Sequence, residues 1–210
     1  MLEPLKYTLS KTRVILASAS PRRKDIFHSL GLDVEIKPSN AEENLDKKSY
    51  KGNPWQYAVD TSQLKVEDVF LKLSDTDDRL LVLVGADTVI AMDGDIYEKP
   101  KDKEDAARIL RSFSGRSHTV YTGVTIIFRT EEGHTERIQF HEGTDVQFAD
   151  LTDEVIRAYI ETGEPMDKAG GYGIQGKGGS LVKGIHGDYY NVVGFPTHTF
   201  CRELTKLMSK

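Results

Sequence analysis

The sequence predicts an α/β fold, a long, mixed, twisted sheet with helices packed against it. Three observations carry this. Apolar runs of strand length and helical periodicities both recur along the 210 residues. They do not alternate strictly, as an all-parallel sheet would require. No internal repeat, low-complexity tail or linker divides the chain. Its length therefore fits one domain, residues 1–210, or two lobes around one sheet.

Each element has a local reason. Residues 14–17 are a short β-rich run that feeds a helix. Ser20 caps that helix, Pro21 suits its first position, and Ile26, Phe27 and Leu30 form its apolar stripe. Gly31 stops it. Residues 34–36 read as a second strand and residues 41–53 as a polar loop. Asn53 then caps a long helix, with Pro54 at its first position and Gln56 completing a capping box. Ala58, Val59, Ser62, Val66 and Val69 share the face of that helix that packs inward.

Residues 80–86 form the strongest apolar run, a buried central strand. Asp93-Gly94 is a tight turn that pairs residues 89–92 with 96–98. A capped helix over 102–113 ends at Gly115. Two long strands, 118–129 and 135–148, flank the Glu131-Glu132-Gly133 turn. Thr152 caps a further helix, across whose start Leu151 and Ile156 can form a hydrophobic staple. The glycine-dense stretch DKAGGYGIQGKGGS reads as an ordered loop, because the apolar Leu181-Val182 follows it. Two short strands and a helix from about Pro196 close the chain.

The net charge of −5 argues against a general binder of nucleic-acid polymers. One cysteine, Cys201, excludes an internal disulfide framework and a multi-cysteine zinc site; beside Phe200 it reads as a buried thiol. The first residues lack an apolar core of signal-peptide length, and no stretch is long enough to span a membrane. The expected location is cytoplasmic. The oligomeric state, monomer or homodimer, is left open.

Against this acidic background, Arg22, Arg23 and Lys24 fill the first turn of the opening helix, where the backbone dipole is already positive. Arg23 shares the inward side with Ile26, Phe27 and Leu30, and leans back toward Ser18-Ala19-Ser20. Hydroxyls, free N–H groups, a helix start and arginines make an anion site suited to a polyphosphate. Lys24 fits a solvated helix end. On this reading, removing Arg23 relieves repulsion and leaves the ligand-free protein as stable or slightly more so. Lys65 falls on the apolar face of the long helix, where it either snorkels outward or enters a cleft. Asp87, in Gly85-Ala86-Asp87-Thr88, leaves the end of the central strand, where α/β sheets usually bind ligands. The hairpin can return Glu98 and Lys99 near it, and Glu42 and Glu43 lie in the polar loop. Carboxylates beside a polyphosphate suggest Mg²⁺ and a base to activate water. No Walker-type phosphate loop, G-x-S-x-G elbow or metal-spaced histidines occur.

Six ordered motifs, LASASPRRKDIF, GADTVI, EKP, SGRSHTVYTGV, GEPMDKAGGYGIQG and NVVGFP, resemble those of the Maf family of nucleoside triphosphate pyrophosphatases, from about Val14 to the last helix. The resemblance implies a two-lobed fold with a central cleft, similar to the inosine triphosphate pyrophosphatases. It also implies hydrolysis of a nucleoside triphosphate between the α and β phosphates with a divalent cation such as Mg²⁺. It assigns Asp87 as proton acceptor and metal ligand, Glu43 (or Glu42, if the loop slips) as metal ligand, and Ser18, Arg23, Lys65 and Lys99 as phosphate-handling residues. The branch acting on dTTP and UTP carries the residues that stand here as Arg22, Thr88 and Gln175. A branch acting on 7-methyl-GTP has tryptophan, glutamine and glutamate instead. The rival readings are a non-catalytic nucleotide-binding regulator of cell division and a Maf enzyme of 7-methyl-GTP specificity.

Overall fold

The computed structural model describes residues 1–73 and 79–209. The short helix α1 (Lys6–Leu9) precedes strand β1 (Arg13–Leu16), helix α2 (Pro21–Ser29) and the two-residue strand β2 (Glu35–Ile36). Helix α3 (Pro54–Phe70) leads into β3 (Leu81–Met92), which turns into β4 (Asp95–Tyr97) and then α4 (Lys103–Phe113). The long strands β5 (Ser117–Arg129) and β6 (Thr135–Phe148) follow, then α5 (Asp153–Glu161), the glycine-rich loop, β7 (Val182–His186), α6 (Tyr189–Val193) and α7 (Thr197–Met208).

The strands form one sheet in the order β2-β1-β3-β5-β6-β7, with β4 also on β3. β1 is parallel to β2 and β3; the other pairs are antiparallel. This is the mixed α/β fold expected.

Alternation along β3 sorts the core. Val82, Val84 and Ala86 pack with α2 and α7, whereas Leu81 and Leu83 pack with Val66 and Val69 of α3. Beyond Thr88, Ile90 and Met92 join a separate cluster with α4 and α5, around Leu110, Phe113, Phe148 and Ile156. The α2/α7 part of the core and the α4/α5 part are joined by strands that run through both. Among the described residues no helix is long and apolar enough to cross a membrane.

Three local expectations need correcting. The central strand does not end at Ala86; β3 continues without a break through Asp87 and Thr88 to Met92. The side chain of Asn53 caps nothing, and the Gln56 amide donates to Asp60 Oδ1 at 2.7 Å instead of returning to the helix start. Pro54 has no N–H, so the first turn needs fewer caps. One strand, β7, precedes the last helix rather than two; residues 189–193 form α6, capped by Asp188. The other caps are present: Ser20 accepts from Arg23 N–H, and Thr152 from Val155 N–H.

Candidate active site

β1 stops at Leu16, its parallel partner Val84, and β4 joins β3 only at Ile90. Among the described residues, 85–89 of β3 have no neighbouring strand on that side; the last bond before the gap runs from Ala17 N–H to Val84 O. The gap opens a cleft of about 650 Å³ that reaches both faces of the sheet. Asp87 and Thr88 are consecutive there, so they point to opposite faces.

Asp87 points to the α3 face. It stands opposite Gly123 in the ladder, two residues after Gly85. A Cβ on Gly123 would lie 2.3 Å from backbone atoms of Ala58 and Val59, and one on Gly85 would lie 2.9 Å from Ser62 O. The helix axis can approach the sheet only because both positions lack side chains. That approach places Lys65 Nζ 2.7 Å from Asp87 Oδ1 and 3.1 Å from Glu43 Oε1. The Lys65 and Asp87 side chains are 16% and 15% exposed, enclosed but within reach of a ligand. Glu43 is thus the acid of the polar loop that lines the cleft. Glu42 instead accepts a hydrogen bond from Asn44.

Thr88 points to the α2 face, toward Arg23. The Arg23 side chain is buried and its guanidinium joins three elements. Nε donates to Gly194 O at 2.9 Å, Nη1 to Ser18 Oγ at 3.2 Å, and Nη2 to Thr88 Oγ1 at 3.0 Å. Burial lowers its pKa, opposed by the charge of Asp87. These bonds count against the expectation that removing Arg23 leaves the ligand-free protein as stable or slightly more so: the side chain knits the floor of the cleft as well as lining it. Lys24 is exposed.

Arg22 lies at the cleft rim, where Nη1 donates to Asp167 Oδ2 at 3.1 Å across the opening. Lys99 and Gln175 line the far wall, exposed, and neither has a hydrogen-bond partner among the described residues. Ser18, Arg22, Arg23, Glu43, Lys65, Asp87, Thr88, Lys99 and Gln175, singled out from the sequence, therefore line one cavity, and Glu42 does not.

Sequence reasoning missed Lys168, Asp167 and Tyr57. Lys168 also lines the cleft, with Nζ held by Glu164 O at 2.8 Å and by Asp167. Tyr57 is buried in α3 and donates to Glu98 Oε1 at 2.8 Å, while Lys47 pairs with the other oxygen of Glu98. Burial, then the Glu98 contact, raises the phenol pKa, so Tyr57 stays a donor and fixes Glu98 at the wall. The inward spacing of Tyr57, one residue before Ala58, was the available signal.

Fold and cleft together define an α/β protein whose sheet opens into a cleft lined by arginines, lysines and carboxylates. The chain belongs to the Maf family: the family described as Maf-like protein matches residues 13–207. It is 47% identical over 211 residues to the probable bifunctional dTTP/UTP pyrophosphatase/methyltransferase protein of Homo sapiens, spanning about a third of that protein's length (99% of this chain, 34% of the relative). It is 43% identical to a dTTP/UTP pyrophosphatase of Agathobacter rectalis, over 93% of this chain and 98% of the relative. A solved structure of a nucleoside-triphosphatase / dITP/XTP pyrophosphatase from Mycobacterium abscessus aligns over 93% of this chain and 97% of its own, at 15% identity and a TM-score of 0.37, a likeness too distant to carry an argument.

Proposed function

We propose that this chain is a nucleoside triphosphate pyrophosphatase that hydrolyses dTTP and UTP to the monophosphate and pyrophosphate. The observation that carries this is Asp87, enclosed in the cleft with Lys65 bonded to it and Arg23 on the opposite face of the same strand. The relatives' names support the choice of substrate. Lys65, Lys99, Arg22, Arg23 and Lys168 against Glu43, Asp87, Glu98 and Asp167 leave the cleft nearly neutral. A bound triphosphate brings about four negative charges, so a further cation is needed beside it.

The donor set fits Mg²⁺. Asp87 and Glu43 offer hard oxygen ligands, and both already share one cationic atom, Lys65 Nζ. Two carboxylates leave the remainder of an Mg²⁺ shell to water and substrate phosphate. When bound, Mg²⁺ would supply charge neutralisation at the phosphates.

In this reading the Asp87 carboxylate accepts the proton of the attacking water. Lys65 fixes the carboxylate and, with Lys99, meets the departing pyrophosphate. Ser18 and Arg23 hold the phosphate chain at the start of α2, and Gln175 faces the base. Asp87 disfavours a purely binding regulator, which needs no base beside the phosphates. Pyrophosphate release measured across dTTP, UTP, 7-methyl-GTP, GTP and ATP with Mg²⁺ tests the proposal. Rapid release from dTTP and UTP is expected; preference for 7-methyl-GTP, or no turnover at all, would overturn it.

A further inference from the structure

The loop that carries Gln175 is fastened to one carboxylate directly on its C-terminal side and through a tyrosine hydroxyl on its N-terminal side. Glu164 Oε2 accepts the Lys177 N–H at 2.9 Å, and Oε1 accepts the Gly178 N–H at 3.0 Å. The hydroxyl of Tyr159 donates to Oε1 at 3.0 Å and itself accepts the Gly173 N–H at 3.3 Å. Gly173 lies before Gln175 and Lys177 after it, so the acid bounds the segment directly on one side and through Tyr159 on the other.

The glycine pattern has the same cause. A Cβ on Gly176 would stand 2.5 Å from Glu164 Oε1 and 2.6 Å from Oε2, so the backbone there lies directly on the carboxylate. Burial acts against ionisation of Glu164, but the N–H groups of Gly178 and Lys177 and the Tyr159 hydroxyl outweigh it and hold its pKa below the ordinary value. The residue therefore stays an acceptor with both oxygens engaged. Meanwhile Gln175 projects into the cleft with no partner among the described residues, so nothing about its own side chain fixes its position. Its aim is set by the backbone beneath it.

We infer that Glu164 is a positioning residue for base selection, acting through the loop 173–178 on Gln175. This rests on the reading of Gln175 as the residue that faces the base. A flat ligand edge is read by a hydrogen-bonding group only while that group is held in place, and a polar group that wanders discriminates poorly.

Glu164→Gln keeps the size of the side chain but replaces one acceptor oxygen by a donor amide, which faces an N–H of the loop. The ratio of kcat/KM for UTP to that for GTP should fall by about tenfold or more, the scale of one charge-assisted hydrogen bond, with the larger part of the change in KM. Hydrogen exchange at the Lys177 and Gly178 amides should quicken while the melting temperature stays close to that of the parent. Tyr159→Phe, which removes the acceptor of the Gly173 N–H and one donor to Glu164 but leaves the Lys177 and Gly178 bonds to the carboxylate, should shift the ratio the same way and less; it serves if the first variant does not fold. In Gln175→Ala the ratio should already be lost, and adding Glu164→Gln should change it little further. A parental ratio in Glu164→Gln, with the ratio lost in Gln175→Ala, overturns the role of Glu164 and leaves that of Gln175 standing. A parental ratio in Gln175→Ala overturns the reading of Gln175 and the route through which Glu164 acts.

Discussion

The ammonium of Lys65 sits 2.7 Å from the carboxylate of Asp87, twenty-two residues further along the chain and on a different element. A lysine on the inward face of a helix and an acid within a central strand each need a counter-charge, and here each supplies the other's.

Asp87→Asn should fold normally and bind nucleotide, because the amide oxygen still accepts from Lys65. Its turnover of dTTP and UTP should fall by about a hundredfold or more, the usual scale for loss of a general base. Steady-state pyrophosphate release, with binding followed separately by calorimetry, checks this. A near-normal rate would take Asp87 out of the proton-accepting role.

Arg23→Ala should be destabilising even without ligand, the opposite of what its place at a positive helix terminus suggests. The guanidinium is buried and bonded to Gly194 O, Ser18 Oγ and Thr88 Oγ1. Truncation strands those acceptors and leaves a void, for a loss of about 2–4 kcal/mol. Thermal melting of the ligand-free variant gives the answer; an unchanged midpoint would mean the floor of the cleft rearranges without strain.

Gln175→Glu should weaken use of dTTP and UTP by about tenfold or more while affecting purine triphosphates less, since a carboxylate only accepts hydrogen bonds whereas the amide also donates. In the parent, dTTP and UTP should both be good substrates, because their bases share one pairing edge and differ by a methyl. Competition assays with mixed triphosphates read this directly.

His118 makes stability depend on pH. It is buried between Phe113, Phe148 and Tyr172, with Nε2 2.8 Å from the Tyr172 hydroxyl. Burial pushes its pKa down from 6.5 to about 4, partly opposed by the charge of Asp145. Between those values the unfolded chain binds a proton that the folded one refuses. The contribution is therefore whole above pH 6.5 and is lost as pH falls toward 4, by about 3 kcal/mol in all. Denaturant unfolding at pH 7 and pH 5, compared with His118→Gln, should show a shallower pH slope in the variant.

Much of this site was legible because its signals are local. Ser20-Pro21 announces a helix start, the arginines beside it are unusual there, and Lys65 interrupts an apolar face. The unbroken course of β3 was not legible, because Asp87 and Thr88 look like the end of a strand when judged by hydrophobicity. Their side chains enter the cleft, so the apolar alternation lapses while the backbone ladder to β5 continues. The inward side of Arg23 was legible from its spacing, but two of its acceptors were not, since Gly194 and Thr88 lie 171 and 65 residues away. Asn53 and Gln56 fit a capping pattern, yet Asp60 offered the amide a better partner.

The cleft has a mechanical consequence. It is bounded by strands that continue past it: β3, β5 and β6 span Leu81–Met92, Ser117–Arg129 and Thr135–Phe148, and serve both parts of the core. Among the described residues these three strands run unbroken between those parts. Widening or narrowing the opening must be taken up as torsion shared over the hydrogen-bonded ribbons, in the manner of a leaf spring. A substrate that draws the walls together would then wind the sheet as a whole, and the stiffness of the site would be set by residues far from any phosphate.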